Sequence, residues 1–125
     1  MTALIGFTVF KEKILSGEKR QTIRKMRQYP VKISEILHLY WKLRTKVCEK
    51  LGEGVCNETF MVLISRSTRI LKVNMEMTDC EFLTDEEADD LARRDGFRDQ
   101  WEMRAWLYDK HPDMNSMTMF QVVRW

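Results

Sequence analysis

Residues 13–24 read KILSGEKRQTIR, Lys13 to Arg24. "KEKILSG" reads as a short helix stopped by Gly17, a residue that tolerates the left-handed conformation of a C′ position. "RQTIR" then reads as a strand. Strand alternation puts Gln21 and Ile23 on one face and Arg20, Thr22 and Arg24 on the other. Lys19 falls at the turn where this strand begins. Three readings of Lys19, Thr22 and Arg24 stay open on spacing alone. They are a solvated strand face, an anion grip, or a catalytic set.

Upstream, "ALIGFTVF" is a short apolar run and the expected first strand. Downstream, "KMRQYPVK" is a basic loop broken by Pro30. "EILHLYWKL" is a strand, with Leu37, Leu39, Trp41 and Leu43 alternating against Ile36, His38, Tyr40 and Lys42. "RTKVCEKLGEG" reads as basic and turn-like at Gly52 and Gly54. "VCNETFMVLISR" and "TRILKVNM" read as two further strands separated near Ser67.

The acidic region reads as helical. Thr84 with Glu87 matches a capping box, Leu83 can staple onto Ala88, and Gly96 ends the segment. Asp99 with Glu102 caps a second helix whose apolar stripe is Met103, Trp106 and Leu107, with Trp101 and Trp106 expected in the core. Lys110, His111 and Pro112 end it, with His111 read as a cation at the helix C-terminus. "MTMFQVVRW" is the closing strand. The expectation is an α+β domain over residues 1–125. It has about five or six strands, a short helix after strand one and a helical pair before the last strand. So many strands in so short a chain are expected to curl into a barrel or half-barrel that protects their edges.

At 125 residues the chain has the length of one domain. A domain of that size buries roughly two-thirds of its unfolded surface, so it needs no disulfide or metal to hold a core. No apolar run approaches the ~20 residues that span a bilayer. "MTALIGFTVFKEK" lacks the basic start and small-residue cleavage site of a secretory signal. A cytoplasmic protein without a membrane partner is expected. Cys48, Cys56 and Cys80 form no Cys-x-x-Cys pair, and His38 and His111 lie far from one another. That spacing argues against a zinc site and toward free thiols. No cofactor is expected.

The net charge of +2 hides an asymmetry. Residues 19–50 hold ten Lys or Arg against Glu35 and Glu49, a balance of +8. Residues 76–113 hold thirteen Asp or Glu against five Lys or Arg, a balance of −8. The two segments can attract each other, or leave a basic face for a polyanion.

A threonine hydroxyl becomes a nucleophile when a base takes its proton, and a lysine serves as that base when neutral. Burial and nearby cations such as Arg24 push a lysine that way. The same trio is equally an anion grip, with lysine as point charge and arginine as planar fork. Asp95, in "RRDGF", sits at a helix C-terminus where a negative charge opposes the dipole. It is either a turn residue before Gly96 or a carboxylate with a task elsewhere. Tyr29, Tyr40, Trp41 and Trp125 lie near basic residues, a mixture that unstacked bases bind. The candidate ligand-binding residues are Arg20, Gln21, Arg24, Lys25, Arg27, Trp41, Arg44 and Lys46.

With these residues in view, "KILSGEKRQTIR", "VKISEILHLYWKLRTK", "ARRDGF", "EMRAWL" and the closing "FQVVRW" together resemble the ASCH domain family of the PUA-like superfamily. The resemblance covers nearly the whole chain and centres on G-x-K-x-x-T-x-R in "GEKRQTIR". It implies a small β-barrel with a cleft beside the Gly-Glu-Lys strand, and RNA or a nucleoside or nucleotide as partner. Some members are reported to act as ribonucleases. A bacterial branch hydrolyses N4-acetylcytidine to cytidine and acetate with a lysine, a threonine and a glutamate. The resemblance carries those roles onto Lys19 as base, Thr22 as nucleophile and Asp95 as acid or positioner. Asp95 is one methylene shorter than that glutamate, and a displacement of about 1 Å in a catalytic group costs about 100-fold in rate. The family also carries a Gly-Asp turn where this chain has Ser34-Glu35, at a place where glycine permits a positive φ.

Overall fold

Eight strands and three helices make up the computed structural model, which describes residues 2–115 and 117–125. In chain order they are β1 (Thr2–Phe7), α1 (Lys11–Leu15), β2 (Gln21–Lys25), β3 (Ile36–Trp41), β4 (Glu49–Val55), β5 (Glu58–Leu63), β6 (Leu71–Val73), β7 (Cys80–Phe82), α2 (Asp85–Arg94), α3 (Gln100–Lys110) and β8 (Met119–Arg124). The chain is therefore α+β. Three strands form one sheet in the order β1-β3-β4, and five form a second in the order β2-β8-β5-β6-β7.

β1 pairs with β3 in parallel, and every other pairing is antiparallel. A parallel pair needs a crossover. Here the crossover carries α1 and then β2, which leaves for the other sheet. Edge strands β1 and β2 consequently face each other across a seam. Side chains bridge it: Arg24 donates to the Gly6 carbonyl, and Arg27 donates to the Leu4 carbonyl at 3.0 Å. No backbone ladder joins β1 to β2 among the described residues, so the strands do not close into a barrel.

Two cores follow from this layout. One lies between the five-stranded sheet and helices α2 and α3, and includes Ile64, Met103, Leu107 and Phe120. The other lies under the three-stranded sheet around Ile5, Leu37, Val123 and Trp125. The alternation of β3 sends Leu37 and Leu39 inward as its sequence requires. The capping box of α2 forms in full: Glu87 N–H donates to Thr84 Oγ1 at 3.1 Å, and Thr84 N–H donates to Glu87 Oε1 at 3.0 Å. Asp99 caps α3 by accepting from Glu102 N–H at 3.0 Å.

The strand count exceeds the five or six expected. The "EKLGEGV" stretch, turn-like by sequence, is β4. It pairs with β3 and absorbs a register shift opposite Leu39 and Tyr40. Gly54 is there for space, since a Cβ would sit 2.7 Å from Trp125 Cδ1. β7 is a three-residue edge strand, exposed throughout. Trp106 packs against the core, but Trp101 is 56% exposed and lies under the Arg104 guanidinium, 5.0 Å from its ring centroid. Cys56 is buried, and Cys48 and Cys80 are exposed. No helix among the described residues is long and apolar enough to cross a membrane.

Candidate functional site

Lys19, Thr22, Arg24 and Asp95 line one cleft of about 450 Å³. This is within the size range of small-ligand sites. Gly17, at φ 81°, ends α1 and turns the chain, and Lys19 N–H donates to the Lys13 carbonyl at 2.9 Å. β2 then runs against the central strand β8, with Thr22 opposite Val123 and Arg24 opposite Gln121.

Asp95 arrives from the far end of the chain. It is the C-cap of α2, and the next two residues complete a Schellman turn. Gly96 takes φ 106° and donates to the Arg93 carbonyl at 3.0 Å, and Phe97 N–H donates to the Ala92 carbonyl at 3.0 Å. The turn reading of Asp95 is met by this geometry, and its carboxylate also faces a partner. Lys19 Nζ stands 3.1 Å from Asp95 Oδ2 and donates to the Asp95 carbonyl at 2.5 Å. Lys13 Nζ donates to the Gly96 carbonyl at 2.7 Å. Two ammonium groups thus meet the helix end whose dipole disfavours Asp95.

The solvated-face reading fails for this trio. Lys19 is 3% exposed, Thr22 4% and Asp95 6%, and Arg24 is half-buried. Burial pushes Lys19 below the usual ammonium range, helped by Arg24 and Lys13 and opposed by Asp95. Burial pushes Asp95 up, opposed by Lys19, Gln21 and Arg24. Burial and the Arg27 charge bring Arg24 down to about 10, so it stays a cation at neutral pH. Arg24 Nε is buried without a hydrogen-bond partner among the described residues.

Among the other candidates, Lys25 and Arg27 line the same cleft. Arg24, Arg27 and Arg44 also line a wider neighbouring groove of about 1010 Å³. The two cavities share the seam residues Gly6, Phe7, Thr8, Arg24 and Arg27. Arg20 and Gln21 lie elsewhere, beside Arg94 and Arg124. Trp41 and Lys46 line neither cavity, and Trp41 instead meets the Lys11 and Lys42 ammonium groups at 5.9 and 5.7 Å.

His111 also lines the cleft, which sequence reading missed. It is the C-cap of α3, where burial and the Lys25 charge lower its proton affinity, against its reading as a helix-end cation. Nothing in the local pattern distinguishes it from an ordinary helix end. Lys32 and Lys42 belong to the groove, and only the basic balance of their segment hinted at them. Of that segment, Lys19 pairs with Asp95 and Lys25 with Asp113 across to the acidic segment. No group of three His, Cys, Asp or Glu that could hold a metal stands together among the described residues. Comparison with protein-family models, curated proteins and solved structures gives no match to this chain.

Proposed function

We propose that this protein binds RNA, taking one nucleoside or nucleotide unit in the cleft of Lys19, Thr22 and Arg24. The observation that carries the reading is the continuity of that cleft with the groove across the β1–β2 seam. The groove presents Arg24, Arg27, Lys32, Lys42 and Arg44 and, among the described residues, the single carboxylate of Glu35. Exposed Tyr29 stands in the same groove and offers an aromatic face. Cations that track a backbone beside a stacking ring are what a single strand requires. A free nucleoside needs only the cleft. The reading keeps the ASCH resemblance, and we infer that the two sheets are a PUA-like pseudo-barrel open at the seam, in a cytoplasmic protein.

Titration of a fluorescein-labelled single-stranded RNA at two salt concentrations tests it. Micromolar affinity that weakens with salt supports the reading, and no binding at low salt overturns it.

A second reading is favoured by one observation: Thr22, Lys19 and Asp95 line the same small cleft. Thr22 would attack the acyl carbon of N4-acetylcytidine as neutral Lys19 takes its proton. The C–N bond would break with Asp95 positioning the amine or, if protonated, giving it a proton. Water would then cleave the Thr22 acetyl ester to release acetate. Lys19 Nζ is engaged with Asp95 in the free protein and would have to turn to Thr22. Chromatography of cytidine release decides it. Equal slow release by the parent protein and by Lys19→Ala ends this reading.

A further inference from the structure

Gln21, a ligand-binding candidate by sequence, stands behind the cleft and holds part of its wall. Its Nε2 donates to Asp95 Oδ1 at 3.1 Å and to the Leu91 carbonyl at 3.0 Å. Its Oε1 accepts from Arg124 Nε at 2.9 Å. The side chain is fully buried, and a flipped amide would set oxygen against oxygen at Asp95 and Leu91 and a donor against a donor at Arg124. The donor end therefore faces Asp95. With Oδ1 held there, Oδ2 is the oxygen that meets Lys19. Arg124 is in turn held by Glu58 at 2.8 Å across to β5. A continuous chain of contacts runs from Glu58 at the surface through Arg124, Gln21 and Asp95 to Lys19.

We propose that Gln21 is the positioning residue of this cleft: it keeps Asp95 an ionised acceptor aimed at Lys19, and Arg124 keeps Gln21 in the orientation that does so. The consequence for ligand rests on the reading of the cleft as a binding site, but the effect on Lys19 does not. The charged groups around the carboxylate are Lys19 and Arg24 from the β2 segment, Lys13 from α1 beside Lys19, and Arg124 from β8 behind Gln21. Removing the Gln21 donor raises the proton affinity of Asp95. A carboxylate no longer held at Oδ1 is also free to turn from Lys19, so the ammonium is stabilised less and releases its proton at lower pH.

The test follows the titration of Lys19 by NMR in the full chain labelled at lysine Cε, its signal assigned with Lys19→Arg. In Gln21→Met the Lys19 midpoint falls by about one pH unit, a tenfold change in proton affinity. Arg124→Met, which leaves Asp95 untouched but frees the Gln21 amide, lowers it by about half as much. Loss of packing alone lets water reach Lys19 and moves its midpoint up toward 10.5, the opposite direction, so the sign of the shift separates the two. A folded Gln21→Met whose Lys19 midpoint stays within about 0.2 unit of the parent overturns the proposal. If Gln21→Met does not fold, Arg124→Met decides, and an unmoved midpoint overturns it. Labelled RNA is titrated in parallel, with about tenfold weaker binding expected for Gln21→Met. A parent chain that binds no RNA defeats the proposed function while the Lys19 midpoints still judge Gln21.

Discussion

Lys19 and Asp95, 76 residues apart, form an ion pair at 3.1 Å with both side chains almost wholly buried. Burying two charges costs several kcal/mol each, and their attraction offsets this only when the remaining bonds are also made. Here they are made: the Asp95 carbonyl takes a second Lys19 bond, and Gln21 takes the other carboxylate oxygen. Removing one partner leaves an uncompensated charge. Lys19→Met and Asp95→Leu are each expected to lose about 3–5 kcal/mol in urea unfolding. The double variant, with neither charge of the pair left, recovers most of that loss.

The same pair gives an alkaline signature. Folding lowers the Lys19 pKa, so the folded state carries a penalty while the amine is charged. That penalty is lifted as pH rises through the depressed native value toward the ordinary value of 10.5, and the folded state gains relative to the unfolded. The stability difference between the parent and Lys19→Met is therefore expected to move in the parent's favour across that window. Urea midpoints measured in steps from neutral pH to 10.5 read it, and a flat difference contradicts it.

How much of this was legible in the chain depends on the range of each interaction. The caps at Thr84 and Asp99 are local, and they formed as their spacing required. So did the grouping of Lys19, Thr22 and Arg24, because strand alternation and one glycine stop fix it. β4 was not legible, since two glycines and three charged residues carry no strand pattern. Its pairing comes from β3, and Gly54 is explained only by Trp125, 71 residues later in the chain. Trp101 and Trp106 share a helix, and only the docking angle of α3 decides which is buried. Gln21 was placed on the correct side of its strand, away from Thr22. Its task was hidden because Asp95 and Arg124 reach it from 74 and 103 residues away.

Ser34 takes φ 76°, a conformation that favours glycine, at the place where the resembled family carries one. A left-handed residue with a Cβ costs about 1–2 kcal/mol, and glycine's extra chain entropy returns about 0.5–1 kcal/mol of that. Ser34→Gly is expected to stabilise the protein by about 0.5–1 kcal/mol. The Ser34 N–H bond to the Cys56 carbonyl at 2.8 Å is a backbone bond and survives the change. A thermal melt reads the gain.

Thr84 offers the complementary case, a stabilising contact remote from the cleft. Its hydroxyl caps the N-terminus of α2, while Asp95 works at the other end of that helix. Thr84→Ala is expected to cost about 1 kcal/mol in urea unfolding. RNA affinity measured well below the melting temperature should stay within about twofold, since Asp95 is held by Lys19, Gln21 and the Schellman turn rather than by the cap. A large loss of affinity would mean that the far end of α2 positions the site.

The groove makes a prediction about salt. Each phosphate neutralised on a single strand contributes about 0.7 to the slope of log affinity against log salt. Arg44 is exposed and lines the groove, whereas Lys46, two residues on and also exposed, does not. Arg44→Gln is therefore expected to flatten the slope by about 0.7 for each phosphate it no longer neutralises and to weaken binding at low salt, while Lys46→Gln leaves both unchanged. The two substitutions remove the same charge from nearly the same place in the chain. A slope that falls equally for both would assign binding to general positive charge. A slope that falls only for Arg44→Gln assigns it to the groove that opens from the Lys19 cleft across the β1–β2 seam.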